Sequence, residues 1–235
     1  MVKNGVTPEQ RRLSIDLWIV VLVSLVFLGI GIVLQSQLRA FVLNSEKNIL
    51  LRVLCAASLQ FGIAGLGITI VSIVRKENFR SYGLRAEGAI PSILLCILCF
   101  VPHIIFMFTT RQITGYLPFQ SIWTMKDVLA SKFPQNIIGL LITTTSWGFF
   151  EGFNYVVISD KINKKYPSKN KWLNWGAIIC AILCILIHGM IGVSMGSIIE
   201  MLTIIIIIYG MLMVKKFTYN AWGCVFIFVF LWNAF

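Results

Sequence analysis

The chain has 235 residues, of which 58% are hydrophobic and 12% charged, with a mean hydropathy of +0.86 and a formal net charge of +11. That composition excludes a soluble globular domain: a membrane-spanning helix needs about 20 largely apolar residues, and the chain has room for about six to eight of them. The basic excess does not point to nucleic acid, because Lys and Arg sit in short loops beside apolar runs with no basic face or recognition motif.

In chain order, residues 1–12 are polar and basic, with Lys3, Arg11 and Arg12, and the first predicted span covers 13–34. A polar connection carrying Arg39, Lys47 and Arg52 leads to a second span at 53–74. A short basic loop from Arg75 to Arg85 precedes the third, 89–109, where Pro102 removes a backbone donor and is expected to kink the helix. Residues 110–135 mix Phe119, Ile122, Trp123, Val128 and Leu129 with Lys126 and Asp127, which predicts one amphipathic helix lying at the interface. The fourth span is 136–158, followed by a loop with Lys161, Lys164, Lys165, Lys169 and Lys171. The fifth span is 172–190, the sixth 193–214 after a glycine-rich turn at 189–196, and the seventh 219–235. The expected fold is all-α: a polytopic membrane protein of about seven transmembrane helices, with residues 1–235 as a single integral membrane domain.

Fourteen of the twenty Lys and Arg residues fall on the side of the N-terminus, which predicts a cytoplasmic N-terminus and an outer C-terminus. Basic juxtamembrane segments also favour membrane lipids with anionic headgroups as partners. The first apolar run is too long for a cleavable signal peptide, and the sequence shows no lipidation motif and no Asn-x-Ser/Thr acceptor. Cys55, Cys96, Cys99, Cys180, Cys184 and Cys224 all lie in apolar runs, where cysteine packs as a small hydrophobe.

Polar residues inside apolar spans carry the functional signal, since a charged side chain at membrane depth costs at least about 2.5–3.5 kcal/mol and normally faces a partner or a polar cavity. Glu151 stands in such a run, with Gly148 and Gly152 four apart as a strip for close helix packing. The competing reading makes Glu151 helix-to-helix glue. The other candidates are His103, His188, Glu200 and Asn233, with Asn154 one turn beyond Glu151. No cofactor is expected, and metal is not favoured: nothing resembles His-Glu-x-x-His, and two histidines fall short of the usual three protein ligands. A carboxylate and an imidazole sharing one water make a general base, and an amide can donate to the oxyanion that develops. Glu151, His188 and Asn233 supply those roles, although Glu151 is predicted to lie roughly 9–12 Å nearer the inner side than the other two. An assembled site requires Glu151 and His188 within about 5–6 Å.

These residues, in this order, resemble the motifs of the CAAX protease and bacteriocin-processing family (CPBP, or Abi), which are Glu-Glu-x-x-x-Arg, Phe-x-x-x-His and His-x-x-x-Asn. Glu151 matches the first glutamate, His188 the second-motif histidine and Asn233 the third-motif asparagine. The segment Ser81-Tyr82-Gly83-Leu84-Arg85 is similar to the family's Gly-Leu-Arg loop, so the likeness covers about residues 75–235. Gly152 stands in place of the second glutamate, Val156 of the arginine, Cys184 of the phenylalanine and Val229 of the third-motif histidine. The resemblance implies an intramembrane endopeptidase of a prokaryotic cell membrane. It would hydrolyse a peptide bond in a membrane-associated peptide or protein, with Glu151 and His188 activating water and Asn233 forming half of the oxyanion hole. Glu200 or His103 would be a substitute for the missing histidine. The alternative is an inactive member that binds a peptide or acts as an immunity or scaffold protein. A small transporter is a third reading, which no inverted repeat supports.

Overall fold

The computed structural model describes residues 6–189 and 191–235, so Lys3, and Met190 within the predicted fifth span and the glycine-rich turn, lie outside the described residues. Among the described residues every regular element is helical. Helix α1 is Pro8–Val33, α2 Gln35–Leu43 and α3 Ile49–Arg75, which includes a π-helical segment at Gly62–Leu66. A short 3-10 turn, Phe79–Tyr82, precedes α4, Ala89–Thr109. Helix α5 is Met125–Ala130, α6 spans residues 135–165 with a π segment at Thr144–Phe150, α7 is Trp175–Ile187, α8 Met195–Thr218 and α9 Trp222–Phe230.

Four helices (α1, α3, α4 and α8) are long and apolar enough to cross a membrane, and α7 is a shorter apolar helix. Large aliphatic side chains cover their outward faces, among them Leu22, Val26, Leu94, Leu98, Leu202 and Ile206. A surface so apolar is matched to lipid rather than water. This is an integral membrane protein.

The boundaries follow local chemistry more closely than hydropathy does. Helix α1 starts at Pro8, five residues before the predicted edge, because Thr7 caps it: Thr7 Oγ1 accepts from Gln10 N at 3.1 Å and Gln10 Oε1 accepts from Thr7 N at 3.1 Å. That reciprocal pair satisfies two otherwise orphaned donors. Asn174 and Ser194 cap α7 and α8 by a single bond each, their side chains accepting from Ala177 N and Ser197 N. The polar connection expected after the first span contains α2, and Arg52 is buried inside α3, where its Nε donates to Val42 O at 2.6 Å and it pairs with Asp127. The predicted interfacial helix reduces to the six residues of α5, whose Met125 and Val128 are buried. Helix α4 continues through Pro102. The last predicted span is a helix of nine residues, after which residues 231–235 turn back onto the 117–121 segment: Leu117 N donates to Ala234 O and Ser121 N to Asn233 O.

Helices α4, α6, α7, α8 and α9 share one core around Cys96, Phe100, Phe153, Val156, Ile207 and Phe228. At the end holding the N-terminus of α1, an interior ionic cluster joins three chain segments. Asp16 accepts from Arg75 Nε at 2.7 Å and from Lys161 Nζ at 3.0 Å, and Lys161 Nζ also donates to Glu77 at 2.9 Å. The Tyr82 hydroxyl donates to the same Glu77 carboxylate. Asp16 and Lys161 are almost fully buried, and Lys161 lies within α6 rather than in the loop expected for it. Glu77 loses some hydration by burial, but the bonds from Tyr82 and Lys161 and the nearby lysine charges outweigh this and hold its carboxyl below the ordinary 4.5. Burial, then the bond to Glu77, pushes the Tyr82 hydroxyl well above its ordinary 10.0.

Candidate active site

Glu151 sits at the first turn after the π segment of α6, and Gln60 in the last turn before the π segment of α3. The two widened segments face each other, with Phe61 and Phe150 packed edge to face at 4.8 Å between centroids. Such segments widen the helix turn and shift the register of side chains on either side of them. The result here is a direct bond between the helices: Gln60 Nε2 donates to Glu151 Oε2 at 2.8 Å. Gln60 was missed in the sequence because it is uncharged and alone in an apolar run.

His188 caps the C-terminus of α7, where its Nδ1 lies 2.9 Å from Cys184 O. A carbonyl only accepts, so Nδ1 carries a proton and Nε2 faces Glu151 either as a lone pair or as the second N–H of an imidazolium. Glu151 Oε1 is 3.5 Å from that Nε2. Glu151 is 7% exposed, with one oxygen bonded to Gln60 and the other facing the more exposed His188 ring. The predicted depth offset of Glu151 does not arise, because α6 continues to Lys165 rather than ending near residue 158.

Asn233 lies in the turn after α9. Its Oδ1 accepts from Ser121 Oγ at 2.9 Å, and its Nδ2 is buried with no hydrogen-bond partner among the described residues. The neighbouring Trp232 ring meets the His188 ring edge to face at 5.7 Å, which ties this turn to the end of α7. Asn154 Oδ1 is another buried polar atom with no hydrogen-bond partner among the described residues. His103 is engaged elsewhere: its Nδ1 is 2.9 Å from Thr203 Oγ1, and its ring lies between Phe100 and Phe106. Thr203 Oγ1 donates in turn to the main-chain oxygen of Glu200. Among the described residues no hydrogen bond or ion pair links His103 or Glu200 to Glu151 or His188.

The motif departures have a packing explanation. A Cβ at Gly148 would lie 2.5 Å from Val229 Cγ2, and one at Gly152 would lie 2.9 Å from Cys224 O. Helices α6 and α9 therefore touch where the resembled motif would carry a glutamate at 152 and a histidine at 229. There is no space for both longer side chains without separating the two helices.

A cavity of about 230 Å³ opens beside this group, lined by Gln60, Ser121, Thr124, Trp123 and Trp147 among others. It reaches the partner of Glu151 and the partner of Asn233, and Thr124 Oγ1, buried on its wall, has no hydrogen-bond partner among the described residues. Among those residues no group of three or more His, Cys, Asp or Glu side chains comes together that could hold a metal ion. The fold and site thus define a helical membrane protein with a paired carboxylate and imidazole between α6 and α7. Comparison with protein-family models, curated proteins and solved structures finds no match to this chain.

Proposed function

We propose that the chain is a divergent intramembrane endopeptidase of the CPBP type, hydrolysing a peptide bond in a membrane-associated peptide or protein. The observation that carries the reading is the Glu151–His188 pair, 3.5 Å apart, with the carboxylate buried, the imidazole partly open, and Gln60, the partner of Glu151, on the wall of a cavity. A water lying beside the pair reaches hydrogen-bond distance of both groups at once. In the neutral imidazole the Nε2 lone pair accepts a proton from that water, and Glu151, oriented by Gln60, steadies the imidazolium that forms. The Asn233 Nδ2 donors supply the oxyanion contact, with Ser121 holding the amide the right way round. In this reading α6, α7 and α9 are added to the four helices long enough to cross a membrane, and the excess of Lys and Arg on the side of the N-terminus supports a cytoplasmic N-terminus in a prokaryotic cell, with residue 233 toward the outer face.

A second reading, a peptide-binding immunity or scaffold protein without catalysis, is favoured by one observation: Val229, not a histidine, packs on Gly148. Cleavage separates the two. The protein is reconstituted in vesicles with a membrane protein extract, and new peptide N-termini are read by mass spectrometry. The hydrolase reading expects N-termini that depend on the wild-type chain and vanish with Glu151→Gln. Identical profiles for wild type and variant would sink it.

A further inference from the structure

At the opposite end of the molecule, beside the Asp16–Lys161–Glu77 cluster, lies a second cavity of about 360 Å³. Three separate chain segments supply its cations: Arg80 and Arg85 from the loop before α4, Lys164 from α6, and Lys215 and Lys216 from the end of α8. Asp160 is the one carboxylate on its wall, and Lys215 already pairs with it. Among the described residues Arg80, Arg85, Lys164 and Lys216 have no carboxylate within ion-pair distance. Lys161, by contrast, is fully neutralised by Asp16 and Glu77.

The positive-inside bias alone would scatter basic residues over loops. Here the loop that carries Arg80 and Arg85 is clamped. Asn220, fully buried, donates from Nδ2 to Arg85 O at 2.7 Å and to Glu87 O at 2.8 Å, and Ala221 N donates to Gly83 O at 2.9 Å. Gly83 has φ +104°, and a Cβ there would come within 2.9 Å of Tyr219 O, so the chain closes tightly at this point. The cations are held on a fixed concave surface, where like charges repel unless an anion joins them.

We propose that this cavity binds the phosphate group of a phosphate ester, an anionic phospholipid headgroup being the source its position favours. Guanidinium and ammonium groups from several directions match the oxygens of a phosphate, Arg by paired donors and Lys as a point charge. The volume exceeds one phosphate and falls in the range of small-ligand sites, leaving room for the alcohol portion. Lys215 and Lys216 end a membrane-crossing apolar helix, which sets the cavity at headgroup level. The proposal is independent of the peptidase reading.

The test uses the full chain in neutral detergent at fixed ionic strength. Binding of dioleoyl phosphatidylglycerol and of dioleoyl phosphatidylcholine is read by native mass spectrometry, and binding of inorganic phosphate by thermal protection against a matched chloride control. The wild type is expected to retain one phosphatidylglycerol in preference to phosphatidylcholine. The pair Arg80→Gln with Lys164→Gln should weaken retention about tenfold or more, the scale of losing charge-assisted bonds. The pair Arg12→Gln with Lys169→Gln, outside the cavity lining, should leave it unchanged. Thermal melts without lipid establish that both variants fold. Protection by inorganic phosphate, with no added effect of the lipid, supports the phosphate site and assigns it to a soluble ester. Equal retention of the two lipids with no phosphate protection, or equal loss in both variant pairs, overturns the proposal.

Discussion

Gln60 and Glu151 are joined at 2.8 Å across two helices that each widen into a π turn next to the bonded residue. The bond fixes one carboxylate oxygen so that the other faces His188. Gln60 is therefore a positioning residue, and a buried acceptor left unpaired costs about 1–3 kcal/mol. Gln60→Leu should lower stability by about that amount. It should also reduce any cleavage with the pH profile displaced, whereas a merely structural loss would leave the profile in place.

Glu151→Gln keeps the shape and removes the charge. Because Glu151 steadies the imidazolium formed when His188 takes the proton, the expected loss is on the scale of general-base catalysis, about 10²–10⁴-fold in turnover. His188→Gln should fall in the same range, and the double variant should lose little more than either single one, because the pair acts as a unit. Additive losses would show that the two groups do not work together.

The α6–α9 contact makes a contrast among glycines. Gly152→Glu must displace backbone at Cys224 O and the Phe228 ring, and it should abolish the folded protein. Gly148→Ala should destabilise by about 1–3 kcal/mol through overpacking against Val229. At Gly29, where nothing lies within 4 Å of a new Cβ, alanine should be stabilising by about 0.5–1 kcal/mol through helix propensity. Thermal melts in detergent rank the three.

Lys161→Met leaves Asp16 and Glu77 facing one another with only Arg75 in compensation, a loss of about 3–5 kcal/mol for a broken buried ion pair. The same cluster sets a pH window. Glu77 has a folded pKa below its ordinary 4.5, so its contribution is present above that pH and disappears as pH falls through the folded value. Tyr82 has a folded pKa above 10.0, so above that pH the unfolded chain ionises first and stability falls as pH rises. Melting temperature against pH should fall at both ends, and Tyr82→Phe should remove the alkaline limb and, by deleting the bond to Glu77, shrink the acid one.

How much of this was legible in the sequence depends on the kind of residue. The apolar runs announce themselves by hydropathy, and Glu151 and His188 are conspicuous because charge and imidazole are costly there. Asp16 and Lys161 are as deeply buried, yet the sequence hid them. Asp16 lies a few residues from the basic N-terminal segment, and Lys161 opens a run of five lysines that reads as one solvated basic stretch. Burial of Lys161 is decided by Asp16 and Glu77, 145 and 84 positions away, and no local period reports such a pairing. The π segments at Gly62–Leu66 and Thr144–Phe150 were equally invisible, since a 3.6-residue reading assumes them away.

The clasp between Asn220 and the carbonyls of Arg85 and Glu87 joins positions 135 and 133 residues apart. During synthesis the loop before α4 therefore emerges long before the segment that secures it. Contacts of such sequence separation form late, because the intervening chain must first be gathered in. The order of assembly follows: α1 to α4 are laid down with an unsecured loop, α6 and α8 bring in Lys164, Lys215 and Lys216, and Asn220 locks that end of the bundle last. A chain stalled before residue 220 holds most of its apolar core and all five of the converging cations, but not the clamp that fixes Arg80 and Arg85 among them.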